Sequence, residues 1–75
     1  MIMVKPSNET KNSVRRHRRF ADVTQAELAK EVEVSRQTIV SIEAGDYSPS
    51  VHLALRIANK LDVTVETLFS EKEQA

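Results

Sequence analysis

Several things are scarce in this chain, and each scarcity excludes something. There is no cysteine, so neither a disulfide framework nor a thiolate metal site is available, which suits a reducing compartment. The two histidines, His17 and His52, stand far apart with no metal-ligand spacing around them. Only one glycine is present, Gly45, so no glycine-rich loop exists to cradle a phosphate, and no paired acids sit in a pattern that reads as a catalytic cleft. An enzyme is not expected, and neither is a cofactor or a metal. No apolar run approaches the roughly 20 residues that span a membrane. Met1 to Val4 is apolar but too short for a signal-peptide core. The chain reads as soluble and cytoplasmic.

Seventy-five residues make one domain at most. The balance of 11 bases against 11 acids gives no net charge, but the charges are not evenly spread. Lys5, Lys11, Arg15, Arg16, Arg18 and Arg19 face a single acid, Glu9, before position 21, whereas Asp62, Glu66, Glu71 and Glu73 face only Lys72 at the other end. The chain is basic at the front and acidic at the tail.

Residues 1–11 are polar, carry Pro6 and show no periodicity, which predicts a flexible arm, with Met1 and Met3 as alternative starts. A domain is expected over 12–70 and a frayed end over 71–75. Within the domain no repeat or convincing strand appears, and five short helices are expected. Val14, His17, Arg18 and Ala21 give helical spacing from Asn12 to about Phe20. Thr24-Gln25-Ala26-Glu27 is a capping box opening the second helix, with Leu28, Ala29 and Val32 as its apolar stripe. Ser35 caps a third, in which Ile39 and Ile42 face inward, and Gly45 ends it in the left-handed conformation. Ser50 caps a fourth, with Leu53, Ala54, Ile57, Ala58 and Leu61 inside, and Thr64 caps a fifth, Val65 to about Phe69. The fold class is therefore all-α, a five-helix bundle.

The second and third helices are joined by Glu33 and Val34 alone before the Ser35 cap. Two helices crossing steeply over so short a link need a small residue at the crossing, supplied by Ala29, and Val34 is placed to plug the core under the bend. With Ile39 and Ile42 inward, Arg36, Gln37, Val40 and Ser41 remain outward, flanked by Ser35 and Thr38. These suit base edges: arginine bonds guanine bidentately, glutamine does the same for adenine, and valine meets a thymine methyl. The amino end of such a helix is the part nearest the bases.

The stretch TQAELAKEVEVSRQTIVSIEAGDYSPSVHLALRIANKLDVTVETLF resembles the phage-repressor/Cro-type (XRE-like) helix-turn-helix regulators, above all their small stand-alone prokaryotic members. The resemblance spans roughly Asn12 to Phe69, and it is the combination TQ-x-x-LA, VSRQTI, IE-x-G and PS at these spacings that carries it. It implies a lambda-repressor-like fold and a transcriptional regulator, a repressor acting in the nucleoid, bound to double-stranded DNA as a homodimer on a palindromic site. It implies that Gln25 contacts phosphate, that Arg36, Gln37 and Ser41 face the major groove, and that the loop around Asp46 to Ser48, Tyr47 included, runs along the backbone. It also implies an ion pair of Arg18 with Glu43. A dimer contact is expected on the carboxy-terminal helices, at Val65, Leu68 and Phe69, residues that could equally close the monomer core, so that the reading is core plus dimer.

The sequence departs from the family pattern at Glu33, where glycine is usual in the turn, and at Asp46, where a lysine or arginine is common. Asp46 and the neutral net charge leave open a second reading, a helical protein-interaction module of the same fold, such as an antitoxin or a coactivator-like adaptor. His17 reads as a partly buried packing residue. Arg15, Arg16 and Arg19 read most simply as a solvated face.

Overall fold

Hydroxyl groups set most of the helix starts. In the computed structural model, which describes residues 12–69, α1 spans Val14–Phe20, α2 Gln25–Val32, α3 Arg36–Ala44, α4 Val51–Leu61 and α5 Val65–Phe69. The side chains of Thr24, Ser35, Ser50 and Thr64 each accept the amide three residues on, at 3.0 or 3.1 Å, which satisfies one of the four orphan donors at a helix start. At α2 the box is complete, because the Thr24 amide donates back to Glu27 Oε1 at 2.9 Å. The expected arm over 1–11 and the frayed end over 71–75 lie outside the described residues.

The start of α1 is built differently. Ser13 precedes it without capping it. Instead the Val14 amide donates to Asn12 Oδ1, while Asn12 Nδ2 donates to the Ile42 carbonyl at the end of α3. Ser13 is turned outward onto α5: its amide donates to the Leu68 carbonyl and its hydroxyl to the Thr67 carbonyl, both at 2.8 Å. The helix accordingly begins at Val14 rather than at Asn12, because the two residues before it are spent on other elements.

One short pattern does recur, although no repeat is expected from the sequence. Asp22-Val23-Thr24, Glu33-Val34-Ser35 and Asp62-Val63-Thr64 form the same joint three times. In each the acid sits in the left-handed region, at φ of 65°, 63° and 61°. The valine amide then donates back to the carbonyl five residues earlier, from Val23 to Arg18, Val34 to Ala29 and Val63 to Ala58, which is the Schellman closure of a helix end. All three valines are half-buried against the core, and the hydroxyl residue opens the next helix. Gly45, at φ 83°, is the sole glycine among these helix ends.

These joints are short enough to fold five helices around one core. α2 packs on α3 and α4, α4 on α5, and α1 on α3 and α5. Val14, Leu28, Ile39, Ile42 and Ile57 are fully enclosed between them, and Ala29 on α2 is buried in the same core. Leu68, expected at a dimer contact, is 1 % exposed and belongs to this core. The reason is that α5 is clamped to α1 through Ser13, which turns Leu68 inward. Val65 and Phe69 are half-buried against the same cluster. Among the described residues there is no strand, and no helix is long and apolar enough to cross a membrane.

Candidate nucleic-acid interface

The pair α2 and α3 is oriented from beneath by a buried polar knot. Arg18, from α1, lies with Nε 2.7 Å from Glu43 Oε2 and Nη2 3.3 Å from Oε1. Its Nη1 donates to the Val23 carbonyl at 2.8 Å. Glu43 sits on the last turn of α3, and its Oε1 also accepts from Gln25 Nε2 at 3.1 Å, at the first residue of α2. One carboxylate thus joins α1, α2 and α3, and no buried side-chain nitrogen or oxygen is left unsatisfied among the described residues. The charges are enclosed only because each has a partner.

The turn between α2 and α3 is held from the side. Glu33, the non-glycine residue of the turn, has Oε1 2.8 Å from Arg56 Nη2 on α4. This hydrogen bond, and the charge of the guanidinium, hold the Glu33 carboxyl below the usual carboxylate range. Val34 packs beneath, and Ser35 opens α3 with its hydroxyl accepting from the Thr38 amide and lying 3.0 Å from Thr38 Oγ1.

On this support α3 turns two sides in opposite directions. Ile39, Ile42 and Glu43 are buried. Arg36 and Gln37 stand exposed on the first turn, and neither has a hydrogen-bond or ion-pair partner among the described residues. Ser35 is exposed as well, Thr38, Val40 and Ser41 are half-buried, and Tyr47 is exposed in the loop that follows Gly45. Two exposed long polar side chains therefore project from a helix end whose direction is fixed by a cap, a plug and an ion pair.

Gln25 is placed less simply. Its backbone opens α2, but its amide is turned inward onto Glu43, and it is half-buried. An open groove lies beside it, lined by Arg18, Arg19, Asp22, Val23 and Thr24. The inward bond of Gln25 is not visible in the sequence, because 18 residues separate it from Glu43. The same holds for Asn12 on Ile42 and Arg56 on Glu33, which are products of helix packing rather than of local spacing. Among the described residues no group of histidines and acids is placed to hold a metal.

Comparison with known proteins agrees with this geometry. A family model described as helix-turn-helix matches residues 14–68. The chain is 46 % identical over 59 residues to an uncharacterised HTH-type transcriptional regulator of Methanocaldococcus jannaschii, covering 79 % of this chain and 89 % of that one. It is 54 % identical over 48 residues to one of Methanothermobacter thermautotrophicus, covering 64 % and 70 %. To the uncharacterised HTH-type regulator YgzD of Bacillus subtilis it is 39 % identical over 64 residues, covering 85 % and 97 %. With α2 and α3 as the helix pair, a family match from the first residue of α1 to the penultimate residue of α5, and relatives of nearly the same length, the chain belongs to the XRE-like helix-turn-helix family.

Proposed function

We propose that this protein is a sequence-specific DNA-binding transcriptional regulator, with α3 as its recognition helix. The observation that carries the reading is the pair Arg36 and Gln37, exposed and without a partner among the described residues, on the first turn of a helix whose inner side is locked. A surface arginine and glutamine on an isolated helix would be ordinary solvated residues. Here they stand where a duplex can meet them, and they carry the two chemistries that read guanine and adenine in the major groove. Ser41 and Val40 extend the reading face, Ser35, Thr38 and Tyr47 border it, and the start of α2 at Gln25 supplies a phosphate contact.

In its finer form the reading is a repressor acting as a homodimer on an inverted repeat. Occupancy of a site by such a domain suffices for repression. A dimer accounts for apolar surface left outside the core: Val51 and Leu55 on α4, 76 % and 51 % exposed, together with the half-buried Val65 and Phe69 on α5, which packs on α4. Leu68 has no part in that contact. The relatives named above are described as transcriptional regulators, and the family is a non-enzymatic one.

The test is selection of bound sequences from a random duplex pool, followed by titration of the selected site. Two half-sites in inverted orientation, about one helical turn apart, are expected of a dimer. Affinity should fall steeply between about 50 and 200 mM salt. Arg36→Ala and Gln37→Ala should each cost about 1–3 kcal/mol of discrimination at one base position with the fold intact. Failure to enrich any sequence, or enrichment indifferent to both substitutions, overturns the reading and favours a protein-docking role for the same fold.

A further inference from the structure

The seven residues of α1 carry a feature that neither the core nor the α3 face uses. Val14 and Arg18 turn inward, and Arg15, Arg16, Arg19 and Phe20 turn outward. These four stand at i, i+1, i+4 and i+5 and so form one continuous face of the helix. Phe20 is 89 % exposed, more than any other large apolar residue described. None of the three arginines has a hydrogen-bond or ion-pair partner among the described residues.

Local physics does not ask for this arrangement. The positive end of a helix dipole favours acids in the first turn and bases in the last. Arg19 conforms, but Arg15 and Arg16 lie in the first turn, which holds no acid. Arg15 and Arg19, four apart, also repel one another. In a chain with no net charge, three cations without a partner among the described residues are thus gathered, against helix preference, around an exposed aromatic ring.

We propose that the outward face of α1 is a docking surface for an acidic peptide segment with an apolar anchor, presented by a partner protein. Charge complementarity names the acidic component, since the guanidinium groups present donors in the fork that carboxylates accept. Phe20 names the apolar one, because a phosphate backbone offers a phenyl ring nothing to pack on. α1 is joined to α3 by Arg18 on Glu43 and Asn12 on Ile42, and Arg15, Arg16 and Phe20 lie on the side of α1 opposite the buried Val14 and Arg18. Arg19 also borders the groove at the start of α2, so it is left unmutated in the test. The inference stands on the α1 residues alone and does not require the DNA reading.

The experiment uses the full chain and a labelled synthetic peptide of repeated Glu-Glu-Leu-Phe units, followed by fluorescence anisotropy. Two control peptides replace the acids by glutamine or the apolar residues by serine. The acidic-apolar peptide should bind, and both controls should bind at least about tenfold more weakly. Arg15→Glu/Arg16→Glu should weaken the peptide by about tenfold or more, while DNA affinity stays within about twofold. This variant places acids in the first turn of α1, which favours the helix, so loss of fold is not the expected cause. Phe20→Ser should weaken the peptide several-fold and spare DNA. Arg36→Ala should do the converse, so that failure of the DNA reading and failure of this one are separable. Peptide binding unaffected by both α1 variants overturns the proposal. So does a tenfold loss of DNA affinity in Arg15→Glu/Arg16→Glu, which would make the face a phosphate contact.

Discussion

Glu43 holds Arg18 in a side-on pair, Nε to Oε2 at 2.7 Å, with the two side chains only 4 % and 10 % exposed. Since among the described residues each charge is satisfied by the other and by the neighbouring Gln25 and Val23 groups alone, the pair is fragile to single changes. Glu43→Ala should lose about 3–5 kcal/mol, the cost of stranding a buried charge. For a chain of this length that is a large share of the roughly 0.05–0.15 kcal/mol per residue that holds a domain together. Arg18→Met/Glu43→Leu should recover most of the loss, because replacing both partners leaves no charge behind. Urea unfolding of the three proteins decides the matter. A double variant no more stable than Glu43→Ala shows that the pair stabilises the fold in its own right.

The acid–valine–hydroxyl joint makes a second prediction, at Asp62. This residue holds φ 61° at the carboxy-terminal end of α4 and has no side-chain partner among the described residues. Its conformation and its charge are both unfavourable there, since a left-handed L-residue is strained and an acid opposes the helix dipole. Asp62→Gly removes both effects, offset in part by the greater freedom of glycine in the unfolded chain. A net gain of about 0.5–1 kcal/mol follows, visible as a rise in melting temperature of roughly 2–8 °C. Asp62→Val should destabilise. A glycine variant that melts below the wild type removes strain as the description of this joint.

Glu33 gives the fold a pH-dependent contact. Its carboxyl titrates lower when folded, first through its hydrogen bond to Arg56 and then through the charge of that residue. A depressed folded pKa contributes stability above the unfolded value, and this is lost as pH falls through the folded one. The contribution is therefore complete at neutral pH and disappears below the usual carboxylate range. Arg56→Gln should lower stability at pH 7, by an amount that shrinks in high salt because the pair is exposed. At acid pH the two proteins should converge. Carboxyl chemical shifts across an acid titration check the direction: the Glu33 midpoint should rise in Arg56→Gln.

Much of this architecture is readable in the letters, and the rest is not for definable reasons. Thr24, Ser35, Ser50 and Thr64 announce helix starts because capping is a local interaction, complete within four residues. Gly45 announces an end for the same reason, and the inward stripes of α2, α3 and α4 follow from helical period. Of the three acidic ends, Asp22-Val23 and Asp62-Val63 mark the close of their helices, and aspartate is among the few non-glycine residues that visit the left-handed region, whereas Glu33 stands where glycine is usual. The recurrence of acid, valine and hydroxyl as one joint is plain only from the backbone. Leu68, Gln25 and Arg56 are beyond local reading altogether. Leucine spacing cannot distinguish a core face from a partner face on a five-residue helix, and the other two act on residues 18 and 23 positions away. For the interface, Arg36 and Gln37 stand outward as helical period requires, whereas the inward turn of the Gln25 amide depends on where α3 brings Glu43.

The last prediction separates the fold from the orientation of α3, the proposed recognition helix. Ala29, the small residue expected at the α2–α3 crossing, is 3 % exposed, and its carbonyl accepts the Val34 amide that closes the turn. Ala29→Gly leaves the crossing distance unchanged and should cost only about 1 kcal/mol, from backbone entropy. Ala29→Leu forces extra atoms between the helices, at about 1–3 kcal/mol, and the least constrained response is outward displacement of α3. Arg36 and Gln37 then shift against any duplex that α2 still contacts. Under conditions where circular dichroism shows both variants fully folded, Ala29→Gly should bind the selected DNA site as the wild type does. Ala29→Leu should bind about tenfold or more weakly, the effect of a lost base contact rather than of lost fold. Equal DNA binding by the two variants would show that the crossing does not govern recognition and that Ala29 matters to packing alone.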